Sequence, residues 1–172
     1  HKGLNRVEFL DGVGDTDLGD IRVEASAIYF TGNAMRGRGT ITVTNAVANN
    51  PGLAFRTPNH GGASITNPLV FSVTSGTYAY LQFSGGPGTN VYTLDCSGPV
   101  DLGPTGTVYY TMNQNASNDV FTISGTISGS ASLQALTENA NANQGARVLT
   151  GNNTYSGGTS FHAGSATATN RQ

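Results

Sequence analysis

The sequence predicts an all-β chain wound as a right-handed parallel β-helix, a solenoid. Three observations carry this expectation. Val, Ile, Thr, Tyr and Phe are spread along almost the whole length, broken by Gly, Asn and Ser, the mixture that favours strands separated by turns. Apolar residues alternate with period two in short runs. The one Asp-Gly pair, Asp11-Gly12, sits in a longer acidic loop and does not have the context of a tight antiparallel hairpin.

Arg6-Val7-Glu8-Phe9, Ile21-Arg22-Val23, Ile41-Thr42-Val43 and Val120-Phe121-Thr122-Ile123 each alternate and end at Gly, Asn or other turn formers, so each is expected to be a strand. Residues 132–143, SLQALTENANAN, hold the nearest approach to a helical pattern. Its apolar spacing is short and gives way to Asn, so a strand end followed by a protruding polar loop is expected. Cys96 lies in YTLDCSG and shares a face with Leu94 and Tyr92. A buried, unreactive thiol is expected there.

Weak self-similarity favours coils. Phe71-Ser72-Val73 leads to Gly76, Tyr92-Thr93-Leu94 to Gly98, and Phe121-Thr122-Ile123 to Gly125. Coils of about 20–25 residues imply roughly seven to nine coils. At the strand spacing of ~4.8 Å the body would be about 35–45 Å long. Corners need Gly for positive φ and Asn for left-handed backbone. Gly61-Gly62, Gly85-Gly86 and Gly157-Gly158 are the expected corner pairs.

Composition bounds the rest. The chain has 172 residues, enough for one domain with a real core, and 24 of them are Gly,. Only 10% are charged and the net charge is −2, which gives no electrostatic reason to expect nucleic acid or an anionic membrane as partner. The lone Cys96 has no internal disulfide partner, so packing and hydrogen bonds must hold the fold. No secretory apolar region or membrane span is present. The chain starts with His1, so it is expected to be an excerpt of a longer chain, with any export signal or anchor outside it.

Two segments carry a family likeness. Residues 149–159 read LTGNNTYSGGT, followed by Phe161 and Ala163-Gly164, and residues 123–133 read ISGTISGSASL. Together they resemble the autotransporter-associated β-strand repeat, a segment of bacterial surface and secreted proteins. The likeness is specific over residues 119–164 and looser before that, where Asn5 to Phe9, Ile21 to Val23 and Ala27 to Phe30 are similar to the opening of the same modules. There are two departures. Residues 134–146 are Asn-rich where the family has a short Gly-rich link, and residues 165–168, SATA, lack the usual Leu. The resemblance implies a passenger-type β-helix outside a bacterial cell. Within the motif, Leu149 is expected in the core and Tyr155 over the next coil or corner. Asn152-Asn153 and Gly157-Gly158 are expected to turn the corners.

Asp11, Asp15, Asp17 and Asp20 crowd one Gly-rich loop and form a candidate calcium site, because alternating carboxylates offer hard oxygens to Ca²⁺. Their spacing is not that of an EF-hand, and the competing expectation is a solvated loop with Asp capping turns. Residues 85–90, GGPGTN, approach a calcium-binding nonapeptide but have Asn90 in place of Asp and no tandem copy. A polysaccharide-cleaving β-helix needs carboxylates on neighbouring coils. Asp95 and Asp101 are the best pair for that, and His1, His60 and His162 are isolated. No catalytic residue and no cofactor is assigned.

The expected function is a structural extracellular module of a secreted or surface bacterial protein, a stiff spacer or adhesive scaffold. The alternatives are a self-assembling fibre subunit and a β-helix that binds or cleaves polysaccharide. A solenoid has two open ends with unpaired backbone groups. The expected partners are therefore neighbouring solenoid modules or another copy, and surface polysaccharide through aromatics such as Tyr78, Tyr80, Tyr109 and Tyr110.

Overall fold

A computed structural model describes residues 7–9, 19–24, 27–31, 38–44, 51–56, 61–85, 91–112, 119–137, 145–161 and 169–170. Among them the regular structure is strand alone. In chain order these are β1 (Val7–Phe9), β2 (Ile21–Val23), β3 (Ala27–Thr31), β4 (Ile41–Thr44), β5 (Gly52–Arg56), β6 (Gly61–Ile65), β7 (Leu69–Ser72), β8 (Tyr78–Ser84), β9 (Tyr92–Cys96), β10 (Val100–Asp101), β11 (Thr107–Met112), β12 (Val120–Ile123), β13 (Ile127–Ser128), β14 (Ser132–Thr137), β15 (Ala146–Leu149), β16 (Thr159–Phe161) and β17 (Thr169–Asn170). The four runs singled out by alternation are all strands. The run from Ser132 extends to Thr137 as expected, and its polar continuation lies outside the described residues, as does SATA at 165–168.

The strands form three sheets. Sheet A has the order β1-β3-β5-β8-β11-β14-β16, sheet B β13-β10-β7-β4-β2 and sheet C β17-β15-β12-β9-β6. Adjacent strands run parallel, as between β8 and β11, β4 and β7, and β9 and β12. The chain passes from sheet B to A to C and back to B, so it is a parallel β-solenoid.

Among the described residues four turns are complete, with one strand in each sheet: β4-β5-β6, β7-β8-β9, β10-β11-β12 and β13-β14-β15. This corrects the expectation of seven to nine coils. Register gives the reason. Gly52 pairs with Tyr80, Tyr80 with Tyr109 and Tyr109 with Gln134, steps of 28, 29 and 25 residues. The sequence similarity between Phe71-Ser72-Val73 and Tyr92-Thr93-Leu94 had suggested a shorter coil. Those segments belong to different sheets, β7 and β9. Within sheet C, Phe121 stands over Leu94 rather than Tyr92.

Inward side chains stack from coil to coil. Sheet A contributes Ile28, Leu53, Leu81 and Tyr110 in one ladder and Phe30, Phe55, Phe83 and Met112 in another, all buried. The rings of Phe30 and Phe55 are stacked 5.9 Å apart. Sheet B adds Ile41, Leu69, Val100 and Ile127, and sheet C adds Ile65, Cys96, Ile123 and Leu149. These also lie in the buried core. Each such aliphatic or aromatic side chain contributes about 1.5–3 kcal/mol relative to leaving it in water.

The corner between sheets C and B is closed by a glycine column. A Cβ on Gly98 would lie 2.4 Å from the Asn67 carbonyl oxygen, on Gly125 1.9 Å from that of Gly98, and on Gly151 2.1 Å from that of Gly125. These distances are far inside van der Waals contact, so successive coils approach here only because no side chain intervenes. The expected corner pairs fare differently. Gly157-Gly158 precede β16 and Gly85 directly follows β8, while Gly61-Gly62 open strand β6 instead of forming the turn.

Candidate functional site

The outer face of sheet A is where solvent-facing aromatic residues converge. Period two in β8 and β11 sends Ala79, Leu81, Val108 and Tyr110 inward and Tyr78, Tyr80 and Tyr109 outward. Tyr80 is the direct register partner of Tyr109. Ring centroids are 5.4 Å apart for Tyr78 and Tyr80, 4.7 Å for Tyr78 and Tyr109, and 5.4 Å for Tyr80 and Tyr109. The rings meet edge-on or tilted, the arrangement aromatic quadrupoles prefer. All three are half-buried.

Beside the cluster the floor is low. Gly52 is the register partner of Tyr80, and a Cβ built on it would meet the Tyr80 Cβ at 3.4 Å and its ring carbon Cδ2 at 3.9 Å. Tyr80 therefore leans across a position without a side chain. The neighbouring outward row, Ala54-Gln82-Thr111, is closed off at Ala54 and Thr111, which are 2% and 0% exposed. The face is thus a half-open tyrosine cluster bordered on one side by a buried row. Tyr110 is not part of it. It is 2% exposed, and its hydroxyl donates to the Phe121 carbonyl. Its removal from the exposed set follows from phase, since Tyr109 and Tyr110 must point to opposite faces.

The described aspartates hold backbone. Asp20 Oδ1 accepts from the Thr40 N–H at 2.8 Å. Asp95 accepts from Ser124 N at 3.2 Å and Ser124 Oγ at 2.8 Å, one coil away. Asp101 Oδ1 accepts from Gly103 N at 2.9 Å within its own turn. Asp119, fully buried, accepts from Tyr92 N at 3.0 Å, while its own carbonyl accepts from Ala146 N at 2.7 Å. Asp95 and Asp101 lie in different sheets, β9 and β10, each serving a different turn. Of the calcium candidates, Asp20 is the described one, and Asp11, Asp15 and Asp17 lie outside the described residues. His1, His60, His162 and Asn90 lie outside them too. Among the described residues no group of three or more His, Cys, Asp or Glu is placed to share a metal ion, and no helix is long and apolar enough to cross a membrane.

Two buried titratable groups sit at the interior of sheets A and C. Burial pushes the Cys96 thiol well above its ordinary value, reinforced by the Asp95 charge. Burial likewise pushes the Tyr110 phenol up, with Cys96 adding to the effect and Arg147 opposing it. Arg147 is 7% exposed and is the register partner of Phe121. Burial lowers its pKa, with Tyr110 opposing that shift. Sequence reasoning did not single out Arg147. The signal was present, because in Ala146-Arg147-Val148-Leu149 a core Leu149 puts Arg147 on the same face.

The 149–159 motif builds the last coil. Leu149 ends β15 in the core, 6% exposed. Thr150 N donates to Ile123 O, Thr154 N to Ile127 O and Ser156 N to Gly129 O, at 3.1, 2.8 and 2.9 Å. Asn153 Oδ1 accepts from Ile127 N at 3.1 Å. Tyr155 packs against the core, its hydroxyl bonded to that of Thr159. The segment thus lies along β13 as irregular chain bonded coil to coil.

No family model, no curated protein and no solved structure matches the chain.

Proposed function

We propose that this chain is a structural module of a secreted or surface bacterial protein, a right-handed parallel β-helix that serves outside the cell as a stiff adhesive scaffold. One observation carries the reading. The described residues that draw chemical attention, the aspartates and the LTGNNTYSGGT segment, are engaged in coil-to-coil or turn hydrogen bonds over a continuous apolar core. That supports a scaffold over an enzyme. The right-handed sense follows from the general chirality of parallel crossovers. The extracellular bacterial setting rests on the likeness of residues 119–164 to the autotransporter-associated repeat.

Cell-surface labelling tests the setting. In a bacterium producing the full-length protein, an antibody against this segment should stain intact cells or appear in the culture fluid. Staining confined to lysed cells would overturn it. A second reading is stacking of copies into a fibre, since the end strands of a parallel solenoid offer backbone groups to a further coil. Electron microscopy of the purified chain distinguishes the two. Dispersed particles support the scaffold and end-to-end rows support the fibre.

A further inference from the structure

We propose that the outer face of sheet A around Tyr78, Tyr80 and Tyr109 is a binding surface for an uncharged polysaccharide chain. The cluster gathers three outward tyrosines of sheet A on β8 and β11, while Tyr29 stands apart on β3. At the same level of the next coil, Tyr78 and Tyr109 give way to Thr107 and Gln134, so three aromatic rings are concentrated on two adjacent strands. Their centroid separations of 4.7–5.4 Å, with the rings edge-on or tilted to one another, make one packed aromatic cluster. They are half-buried with each phenol carrying a donor and acceptor at its tip.

The chemistry of the surroundings selects the occupant. A tyrosine surface offers an apolar ring face and a hydroxyl rim, and a pyranose offers the counterpart, a face of C–H bonds with hydroxyls around its edge. Gly52 leaves the ground beside Tyr80 without a side chain, and among the described residues the flanking Gln82, Thr107, Ser132 and Gln134 offer amides and hydroxyls. A nucleic acid strand would need cations along its backbone. An acidic polysaccharide would need the same. A protein partner would favour a larger patch with apolar or Arg anchors at its centre. The cluster spans two neighbouring coils, on β8 and β11, across the outer face of the sheet, a footprint that fits a few sugar units of an extended chain.

The proposal gives the scaffold its adhesive partner and takes only its biological setting from that reading. Binding is measured on the purified chain, so a failed surface-labelling experiment leaves it untouched, and a failed binding experiment leaves the scaffold standing. The chain has no Trp and seven Tyr, so its intrinsic fluorescence reports on tyrosine. Titration with cello-oligosaccharide should give a saturable change in that fluorescence, and an oligogalacturonate of equal length should give none. The Y80S/Y109S double variant, checked for an unchanged β-sheet circular dichroism spectrum, should bind at least about tenfold more weakly. Y109F, which keeps the ring, should bind within about threefold of the parent. Should the double variant misfold, Y78S replaces it with the same expected direction. No saturable change with the neutral oligosaccharide, equal binding of the charged one, or unaltered binding by the serine variants would each overturn the proposal. So would self-association by sedimentation that Y80S/Y109S abolishes while sugar has no effect, because the face would then be an interface between copies.

Discussion

At the scale of single residues, close approach and burial decide what each position tolerates. Gly125 has its would-be Cβ 1.9 Å from a backbone oxygen of the coil below. Gly125→Ala should therefore lower unfolding free energy by about 1–3 kcal/mol, as overpacking does, measured by denaturant unfolding. Gly19→Ala, where no atom of the described residues lies within 4 Å, should leave it nearly unchanged. Cys96 and Tyr110 titrate in the same buried region. Both are held protonated in the folded state, so both have folded pKa values above those of the unfolded chain. The stability they contribute is complete below the ordinary thiol value of about 8.5 and is lost as pH rises past it and past the phenol value of about 10. Melting temperature should fall across that alkaline window, and in Cys96→Ala the fall should begin later. Native Cys96 should resist a thiol reagent that modifies it after unfolding. The burial of Cys96 was legible because Tyr92, Leu94 and Cys96 repeat every second residue. The inward turn of Tyr110 was legible as well, from Val108 and Met112 on either side of it, once the phase of the strand is set by these apolar neighbours. Period two groups residues by face without naming which face is the interior.

At the scale of strands, two devices hold neighbouring coils together. One is the aromatic ladder of Phe30, Phe55 and Phe83 in sheet A. Phe55→Ala, at the centre of the stack, should cost about 3–5 kcal/mol, read from the same denaturant curves. The other is the aspartate bridge from Asp95 in β9 to the N–H and hydroxyl of Ser124 after β12. Asp95→Ala should cost about 1–3 kcal/mol by taking a charged acceptor from the Ser124 hydroxyl, while the Ser124 N–H keeps its bond to the Cys96 carbonyl, and Asp95→Asn should cost less because an amide oxygen still accepts. In a double-mutant cycle with Ser124→Ala the two losses should be non-additive. Strand positions were readable from alternation, since a pleated chain with one face in the core must alternate. Partners were not. Tyr92 and Phe121 look equivalent in their local sequence, yet Phe121 pairs with Leu94, because register is set by corner lengths and these follow no period. Asp95 and Asp101 are the best-placed carboxylate pair in the sequence, but closeness in sequence does not by itself fix a shared site. The corner at Gly98 and Pro99 separates them into two sheets.

At the scale of the whole molecule, the coil is longer than the motif spacing implied. Three sheets each take a strand and three corners intervene, so a coil-to-coil step is 25 to 29 residues between β5 and β14. Hydrogen exchange should reflect the stacking. Amides in β8, β9, β11 and β12, inside complete turns, should exchange more slowly than those in β2 and β16. The parallel order of sheet A also has a mechanical meaning. Its backbone bonds point from coil to coil, along the direction in which the coils are stacked. A pull applied at the two ends loads those bonds head-on, one level at a time, instead of shearing many at once. Under such a load the molecule should give way in steps, each freed coil paying out about 80–100 Å of slack chain. A tether built from these coils would hold its length under weak tension and lengthen by instalments under strong tension, sparing whatever it is attached to.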